Sequence, residues 1–385
     1  MSLKRTPLFE THQRLGARLV EFGGWEMPVQ YTSIVDEHLA VRQSAGLFDI
    51  SHMGEVIVHG PGAAGFLNET LTNDVRKLAP GAGQYTLMCN ERGGVIDDLY
   101  IYCVGSGHYL LIVNASRIEA DYAWLRARFD AVPRPDTRLQ NASESFGAVA
   151  VQGPQVARFM DACVSGGASE GTKVGRPTDL VKNQMGVFRL AGGSAVVTVA
   201  RTGYTGEDGF EVVAPSGDIV WVWDRIMAAG AEFGLKPAGL GARDTLRTEM
   251  GYPLYGHELD EETTPIEAGL GFFVALDKGD FNGRSVLAAQ KASGVARKCV
   301  AFKMTERSAP PRPQYPIWSS GPSGTRVGSV ASGTQSPSLG VGIGMGYVPP
   351  GLALAGTTLE VEIRSRRSAA VVIPKPIFRR TSAKP

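Results

Sequence analysis

Residues 85–104 read YTLMCNERGGVIDDLYIYCV, and this stretch decides the fold of the chain around it. Residues 85–89 and 98–104 are rich in the aromatic and aliphatic side chains that are typical of strands. Between them, Asn90–Gly94 has the composition of a tight turn, which is a strong hairpin signal. Residues 109–113 predict another strand directly afterwards, so a run of consecutive strands is expected here.

Helical and extended segments flank this run on both sides. The order strand, helix, two strands, helix, strand is that of a split βαβ unit. The predicted flanking elements are a strand around Val56 and Val58 that ends at Gly60-Pro61, helices at 61–71 and 118–129, and a strand at 146–152.

A similar cycle of strands and a helix is predicted in the next hundred residues. Helical spacing also marks residues 34–46, with Gly46 as a C-cap. After about residue 290 the chain alternates Pro-, Ser- and Gly-rich segments with short strands, which predicts a separate all-β module. The predicted elements are strands at 186–190, 195–201 and 209–214, a helix at 219–232, and strands at 359–363 and 369–373.

The composition is that of an ordinary globular protein. A chain of 385 residues is longer than one hydrophobic core usually supports, so two or three domains are expected. The 48 glycines and 23 prolines favour a strand-rich α+β fold. A net charge of +1 gives no field that would attract nucleic acid or an anionic membrane. Neither partner is therefore expected.

The cysteines and histidines indicate neither a disulfide framework nor a metal site. Four scattered cysteines include no CxxC pair, and the six histidines lack HxH and HExxH spacing. No run approaches the about 18 apolar residues of a membrane span, and the N-terminus has neither a signal peptide nor a transit peptide. We therefore expect a cytoplasmic protein without a bound metal.

Two adjacent carboxylates, Asp97 and Asp98, follow the hairpin turn. Neighbours in a strand point to opposite faces, so one faces solvent and the other faces inward beside Leu99 and Ile101. An inward carboxylate must be hydrogen-bonded or used in chemistry. The alternative interpretation is that both aspartates cap the turn through Asx-type hydrogen bonds.

Three further segments are candidates for binding. Residues 201–211, RTGYTGEDGFE, combine glycines with acids that can grip a polar ligand, although a solvated turn has a similar composition. Arg243 stands in the first turn of a predicted helix and offers planar donors to a carbonyl or carboxylate, or forms an internal ion pair. Ser51 and His52 are adjacent in an extended segment, so they diverge and favour a structural or ligand-lining loop over a nucleophile–base pair.

Seven motifs in order resemble those of one family. The chain resembles the glycine cleavage T-proteins, which are aminomethyltransferases, and the resemblance runs over nearly its whole length. The motifs are KRTPLFETH at 4–12, FGGWEMPVQY at 22–31, FDISHMGE at 48–55, CNERGGVIDD at 89–98, RTGYTGEDGFE at 201–211, GLGARDTLR at 239–247 and GTQSPSLGVGIGMGYV at 333–348.

The resemblance implies a three-domain cloverleaf around a central folate channel, with two split-βαβ-type α+β domains and a C-terminal β-barrel. A discontinuous first domain, which binds folate, would comprise residues 1–50 and 150–275. The second would comprise residues 51–149, and the barrel residues 290–380.

The resemblance also implies the site residues. Asp98 would be catalytic, facing the reacting end of the pterin, and Glu211 would bind its aminopyrimidine edge with two parallel hydrogen bonds. The other implied folate-binding residues are Met53, Tyr85, Asn114, Tyr204, Arg243 and Tyr252.

The implied reaction moves an aminomethyl carbon from the dihydrolipoyl arm of a small carrier, the H-protein, to tetrahydrofolate. The products would be 5,10-methylenetetrahydrofolate, ammonia and the dihydrolipoyl carrier. The carrier would bind transiently, and no metal would be needed. Two alternatives stay open: another folate-dependent demethylase of the same fold, and a non-catalytic folate-binding protein.

Overall fold

The computed structural model describes residues 2–321 and 323–380. Within these ranges the α-helices are α1 Phe9–Arg14, α2 Ile34–Gln43, α3 Ala63–Thr70, α4 Ile118–Asp130, α5 Ile219–Gly230, α6 Leu240–Met250 and α7 Arg284–Ser293. The strands are β1 Arg18–Phe22, β2 Trp25–Gln30, β3 Ala45–Asp49, β4 Gly54–His59, β5 Gly83–Cys89, β6 Val95–Gly105, β7 His108–Val113, β8 Arg138–Asn141, β9 Phe146–Gln152, β10 Val164–Gly171, β11 Met185–Leu190, β12 Val196–Ala200, β13 Gly209–Pro215, β14 Leu235–Pro237, β15 Lys298–Met304, β16 Pro316–Ser319, β17 Arg326–Gln335, β18 Gly342–Val348, β19 Thr358–Ile363 and β20 Arg366–Ile373.

The first of two compact units contains two larger sheets. It comprises the chain up to Met88 together with Ile96–Arg243 and Ala275–Asn282. A five-stranded sheet has the order β5-β6-β7-β4-β8, and a seven-stranded sheet has the order β10-β11-β12-β13-β9-β3-β14. The predicted mixed α/β architecture is confirmed.

Helices cover one face of each sheet. On α5, buried Ile219, Val222, Trp223 and Ile226 recur at the spacing of one helical face and pack on the seven-stranded sheet. Helices α3 and α4 cover the five-stranded sheet, where aromatic side chains from the two helices meet edge to face.

The other faces of the two sheets meet inside the first unit. Tyr102 and Leu110 of the five-stranded sheet pack with Met185 and Ala200 of the seven-stranded sheet. The face of β6 opposite to its helix-covered core therefore lies against a second sheet. This arrangement places polar residues of both sheets within reach of one another.

The second unit contains the predicted barrel. It comprises Cys89–Val95, Asp244–Val274 and the chain from Gly283. Six strands close in the order β15-β18-β17-β16-β19-β20 around buried side chains such as Phe302 and Ile317. The prediction of a C-terminal all-β module is confirmed, whereas the exact limits of the three predicted domains stay a prediction.

Strand β9 forms where the sequence predicts it but joins a different sheet. It pairs with β13 and β3 of the seven-stranded sheet, so the split βαβ prediction for its partner strands was wrong. The last strand of the five-stranded sheet is β8, whose sequence RLQN has a single apolar residue and gives no strand signal.

Gly46 is not a C-cap, which contradicts the prediction. Helix α2 ends at Gln43, Ser44 leaves the helical conformation, and Ala45–Asp49 continue as a fully buried strand. A Cβ atom on Gly46 would clash with the Val41 side chain. Glycine therefore lets the helix pack closely on the strand that follows it.

Candidate functional site

The hairpin turn is closed by an asparagine and not by the aspartates. The side-chain oxygen of Asn90 accepts hydrogen bonds from the backbone N–H groups of Arg92 and Gly94, each at 3.0 Å. Gly93 has a φ of +81°, the left-handed region that glycine adopts without strain. The interpretation that Asp97 and Asp98 cap this turn was wrong, so both carboxylates are available for other contacts.

Strand alternation sends the two aspartates to opposite faces of β6. Asp97 is fully buried on the face that Leu99 and Ile101 use to pack against the helices. Asp98 is half-buried on the face of Tyr102, toward the other sheet. Asp97 is therefore the inward carboxylate that the sequence predicts.

Asn114 holds both carboxylates in place. Its side-chain Nδ2 donates to Oδ1 of Asp97 at 2.8 Å and to Oδ1 of Asp98 at 3.1 Å, and its backbone N–H donates to Oδ2 of Asp97 at 3.0 Å. The hydroxyl of Tyr85 donates to Oδ2 of Asp98 at 2.8 Å. Both oxygens of Asp98 are thereby fixed by predicted site residues.

The electrostatics of this cluster keep Asp98 close to its titration point at neutral pH. Burial, together with the neighbouring Asp97 carboxylate, raises the pKa of Asp98 to about 7. Burial and the nearby Asp98 raise the pKa of Tyr85 well above its usual value, so its hydroxyl remains a donor. Asp98 can therefore either hold a proton or present a charge to a ligand.

Glu211 lies on the strand of the facing sheet, within the predicted segment 201–211. Its Oε2 accepts a hydrogen bond from Thr202 Oγ1 at 2.7 Å, and Thr202 is in turn 2.9 Å from the Tyr102 hydroxyl. Glu211 also borders a small, mainly apolar cavity with Met53 and Ile112.

Arg243 lies in the first turn of α6 and presents an unused donor. Its guanidinium lies over the Tyr204 ring, 4.8 Å from the centroid. Its buried Nη1 atom has no hydrogen-bond partner in the described part of the chain. Burial lowers the pKa of Arg243, and the nearby Glu211 charge opposes this effect. A buried donor without a partner is costly, so a ligand acceptor here would be favoured.

The structure brings most of the predicted residues into one unit. Seven of them lie in the first unit, and the Tyr204 side chain contributes to the raised pKa of Tyr85. These seven are Met53, Tyr85, Asp98, Asn114, Tyr204, Glu211 and Arg243. Tyr252 follows α6 in the second unit, where its N–H donates to the Arg247 carbonyl. Its role in folate binding stays a prediction.

Sequence reasoning did not single out two buried acids near these residues, and it interpreted a third buried group, His52, only as part of a structural or ligand-lining loop. His52 is buried, and burial lowers its pKa to about 4, so its ring is neutral. Asp121 and Glu55 are buried acids. One signal was available for Asp121, which stands between Ile118 and Leu125 on the buried face of a helix.

The buried Glu55 predicts a pH-dependent gain in stability on mutation. Neither carboxylate oxygen has a partner in the described structure, and burial raises the pKa from 4.5 to about 8. The unfolded state ionises first as pH rises, so folding is penalised progressively between these two values. Glu55→Gln should therefore raise the free energy of unfolding by about 2–4 kcal/mol at pH 8 and by little at about pH 4.

Denaturant unfolding at both pH values measures this difference, with the exposed Glu119→Gln as the matched control. An equal effect of Glu55→Gln at the two pH values would show that Glu55 is not a buried neutral acid.

No three or more His, Cys, Asp or Glu residues in the described ranges form a group that could hold a metal ion. The expectation that the reaction needs no metal stays a prediction. No helix in the described part of the chain is both long and apolar enough to cross a membrane.

Comparison with known proteins gives matches over nearly the whole chain. Residues 8–278 match the GCVT N-terminal domain family, and residues 297–379 match the glycine cleavage T-protein C-terminal barrel domain. The aminomethyltransferase of Geobacillus kaustophilus (strain HTA426) is 46% identical over 383 residues, which cover 98% of this chain and 99% of the relative. The aminomethyltransferase of Halothermothrix orenii is 45% identical, with coverage of 98% and 100%.

A solved structure agrees with these matches. The crystal structure of glycine cleavage system aminomethyltransferase T from Bartonella henselae superposes with a TM-score of 0.87 at 33% sequence identity. The match covers 98% of each chain, so it includes both the mixed sheets and the barrel.

Proposed function

The chain belongs to the glycine cleavage T-protein family, which are folate-dependent aminomethyltransferases, and we propose that it transfers the aminomethyl carbon of a lipoyl carrier to tetrahydrofolate. The carrier is the H-protein, whose dihydrolipoyl sulfur bears the aminomethyl group. The assignment of the site rests on one observation. Tyr85 and Asn114 hold the Asp98 carboxyl by hydrogen bonds, and its pKa is raised to about 7.

The proposed reaction balances without an oxidant or reductant. The methylene carbon leaves sulfur and nitrogen and becomes bonded to N5 and N10 of tetrahydrofolate. The two protons released from N5 and N10 leave with ammonia and the lipoyl thiol. Because the S–CH₂–N carbon is already activated, the protein has mainly to orient the partners and stabilise developing positive charge.

We assign to Asp98 the stabilisation of that positive charge. An ionised carboxylate beside the folate nitrogens favours the cationic states through which both displacements pass. Hydrogen bonds from Tyr85 and Asn114 fix its two oxygens, so little reorganisation is needed when the charge develops. This role requires Asp98 to be ionised, which its raised pKa makes sensitive to pH.

Glu211 and Arg243 are the groups we assign to pterin binding. The Glu211 carboxylate can accept paired hydrogen bonds from a ring N–H and an exocyclic amino group. The free Nη1 donor of Arg243 suits a carbonyl or carboxylate of the folate. Ile50 and Met53 offer the apolar wall beside Glu211. This donor set supports folate binding, and we assign Tyr204, whose ring lies against the Arg243 guanidinium, to the same site.

Carrier dependence tests the proposed substrate. A docked carrier supplies orientation that a free lipoamide arm lacks, so the second-order rate constant for carrier-borne substrate should exceed that for free aminomethyl-dihydrolipoamide by about tenfold or more. Turnover is measured for both at matched concentrations and saturating tetrahydrofolate. Equal rate constants would contradict carrier docking and favour a folate-dependent demethylase of small molecules.

The same assay addresses the non-catalytic alternative. A folate-binding protein without activity would bind tetrahydrofolate yet release no ammonia with either substrate.

We place the reaction in the bacterial cytoplasm, since the relatives are bacterial and all four cysteines are free thiols, as a reducing compartment favours.

A further inference from the structure

Asp121 is a buried acid beneath the proposed catalytic carboxylate. It projects from α4 on the helix face that packs against the five-stranded sheet, and it is 0% exposed. Neither of its oxygens accepts a hydrogen bond from any N–H or neutral O–H in the described structure. The guanidinium Nε of Arg117 is 3.8 Å away, beyond hydrogen-bond distance.

The Asp121 carboxyl instead meets another carboxyl group. The side chains of Asp97 and Asp121 lie close enough that each carboxyl affects the pKa of the other through a side-chain hydrogen bond. Two carboxyl groups in such contact cannot both be ionised, so one proton lies between them. Both oxygens of Asp97 already accept N–H bonds from Asn114. Asp97 is therefore the acceptor, and the proton belongs to Asp121.

We propose that Asp121 is a positioning residue, held protonated so that it donates to Asp97 and, through Asp97 and Asn114, fixes the orientation of Asp98. Asp121 would not touch the substrate. Its effect on turnover rests on the proposed function, whereas its protonation does not.

The charged groups around Asp121 support this assignment. Asp97 faces it from β6, the Asp98 charge acts on it from the opposite face of that strand, and Arg117 lies at the start of its own helix. Burial and the Asp97 charge raise the pKa of Asp121 far above its usual range, and Arg117 opposes this only in part. Tyr85 and Asn114 contact Asp98 on the far side of this chain of groups.

Infrared spectroscopy tests the protonation without relying on activity. The wild-type spectrum minus that of Asp121→Asn, recorded at neutral pH on the full chain, should contain the C=O stretch of one protonated carboxyl. Glu55, which is also neutral at this pH, contributes to both spectra and cancels. If the difference shows the loss of a carboxylate instead, Asp121 is ionised and pairs with Arg117, which overturns the proposal.

Kinetics test the positioning. Asp121→Asn keeps a neutral donor of the same shape, so turnover should stay within about threefold of wild type. For the same reason, the acidic limb of its pH–rate profile should not move. Asp121→Ala removes the donor and should lower kcat by about tenfold or more with little change in KM.

A downward shift of the acidic limb in Asp121→Asn, or a loss as large as that of Asp121→Ala, would contradict the donor role. Thermal melts confirm that each variant is folded. If Asp98→Asn keeps full turnover while the infrared band is present, the function assigned to Asp98 fails and the protonation of Asp121 stands.

Discussion

Replacing Asp98 with asparagine is expected to lower turnover by about 100-fold or more while tetrahydrofolate affinity stays within about tenfold of wild type. Asparagine has the same shape and its side-chain oxygen can still accept from Tyr85, so most of the pocket is preserved. The substitution removes the negative charge that stabilises the cationic folate nitrogens, together with one hydrogen bond from Asn114. The effect should therefore fall on kcat and not on binding.

Initial rates with aminomethylated carrier and calorimetric titration with tetrahydrofolate separate the two effects. The matched control is Asp224→Asn, because Asp224 is exposed on α5. In wild type, activity should rise as pH increases through about 7, where Asp98 ionises, and the residual activity of Asp98→Asn should lack that limb. Near-normal turnover in the folded variant would remove Asp98 from the mechanism.

Replacing Glu211 with glutamine should weaken folate binding by roughly tenfold to a hundredfold, or about 1.5–3 kcal/mol. The amide can still accept from Thr202, so the contact between Glu211 and Thr202 survives. It cannot, however, accept two parallel hydrogen bonds from the pterin edge, and it no longer carries the charge that strengthens them. Saturating tetrahydrofolate should therefore restore much of the turnover.

Calorimetry measures the dissociation constant, with the exposed Glu232→Gln as the matched control. An unchanged dissociation constant would mean that Glu211 serves only to hold Thr202 and Tyr102, with the pterin bound elsewhere.

The local structure of the site was predictable from its sequence. The hairpin at 85–104 forms, and strand alternation correctly separates Asp97 from Asp98, because both features depend only on neighbouring residues. The C-terminal barrel was likewise predictable from its regularly spaced short strands and turn residues.

Long-range pairing was not predictable in the same way. In β9, six of the seven residues are buried, so its sequence says that it is central without saying in which sheet. β8 is short and polar, and only its pairing with β4 makes it a strand. Both errors in the split βαβ prediction follow from this lack of local information.

The buried acids escaped prediction for a related reason. In the sequence, Asp121 and Glu55 look like the charged residues that helices and strands usually present to solvent. Their burial depends on which elements pack over them, and that information lies in distant segments. Among the site residues, Asp98 and Glu211 could be predicted from motif resemblance. The groups that support them could be identified only from the fold.

The most direct test of the central claim is the stoichiometry of a single turnover with carrier bearing a ¹³C-labelled aminomethyl group and excess tetrahydrofolate. One labelled 5,10-methylenetetrahydrofolate and one ammonia are expected for each aminomethyl group consumed, together with one free dihydrolipoyl thiol pair on the carrier. Ammonia release without label in the folate, or labelled folate formed equally fast when this protein is left out, would contradict aminomethyl transfer as the function of this chain.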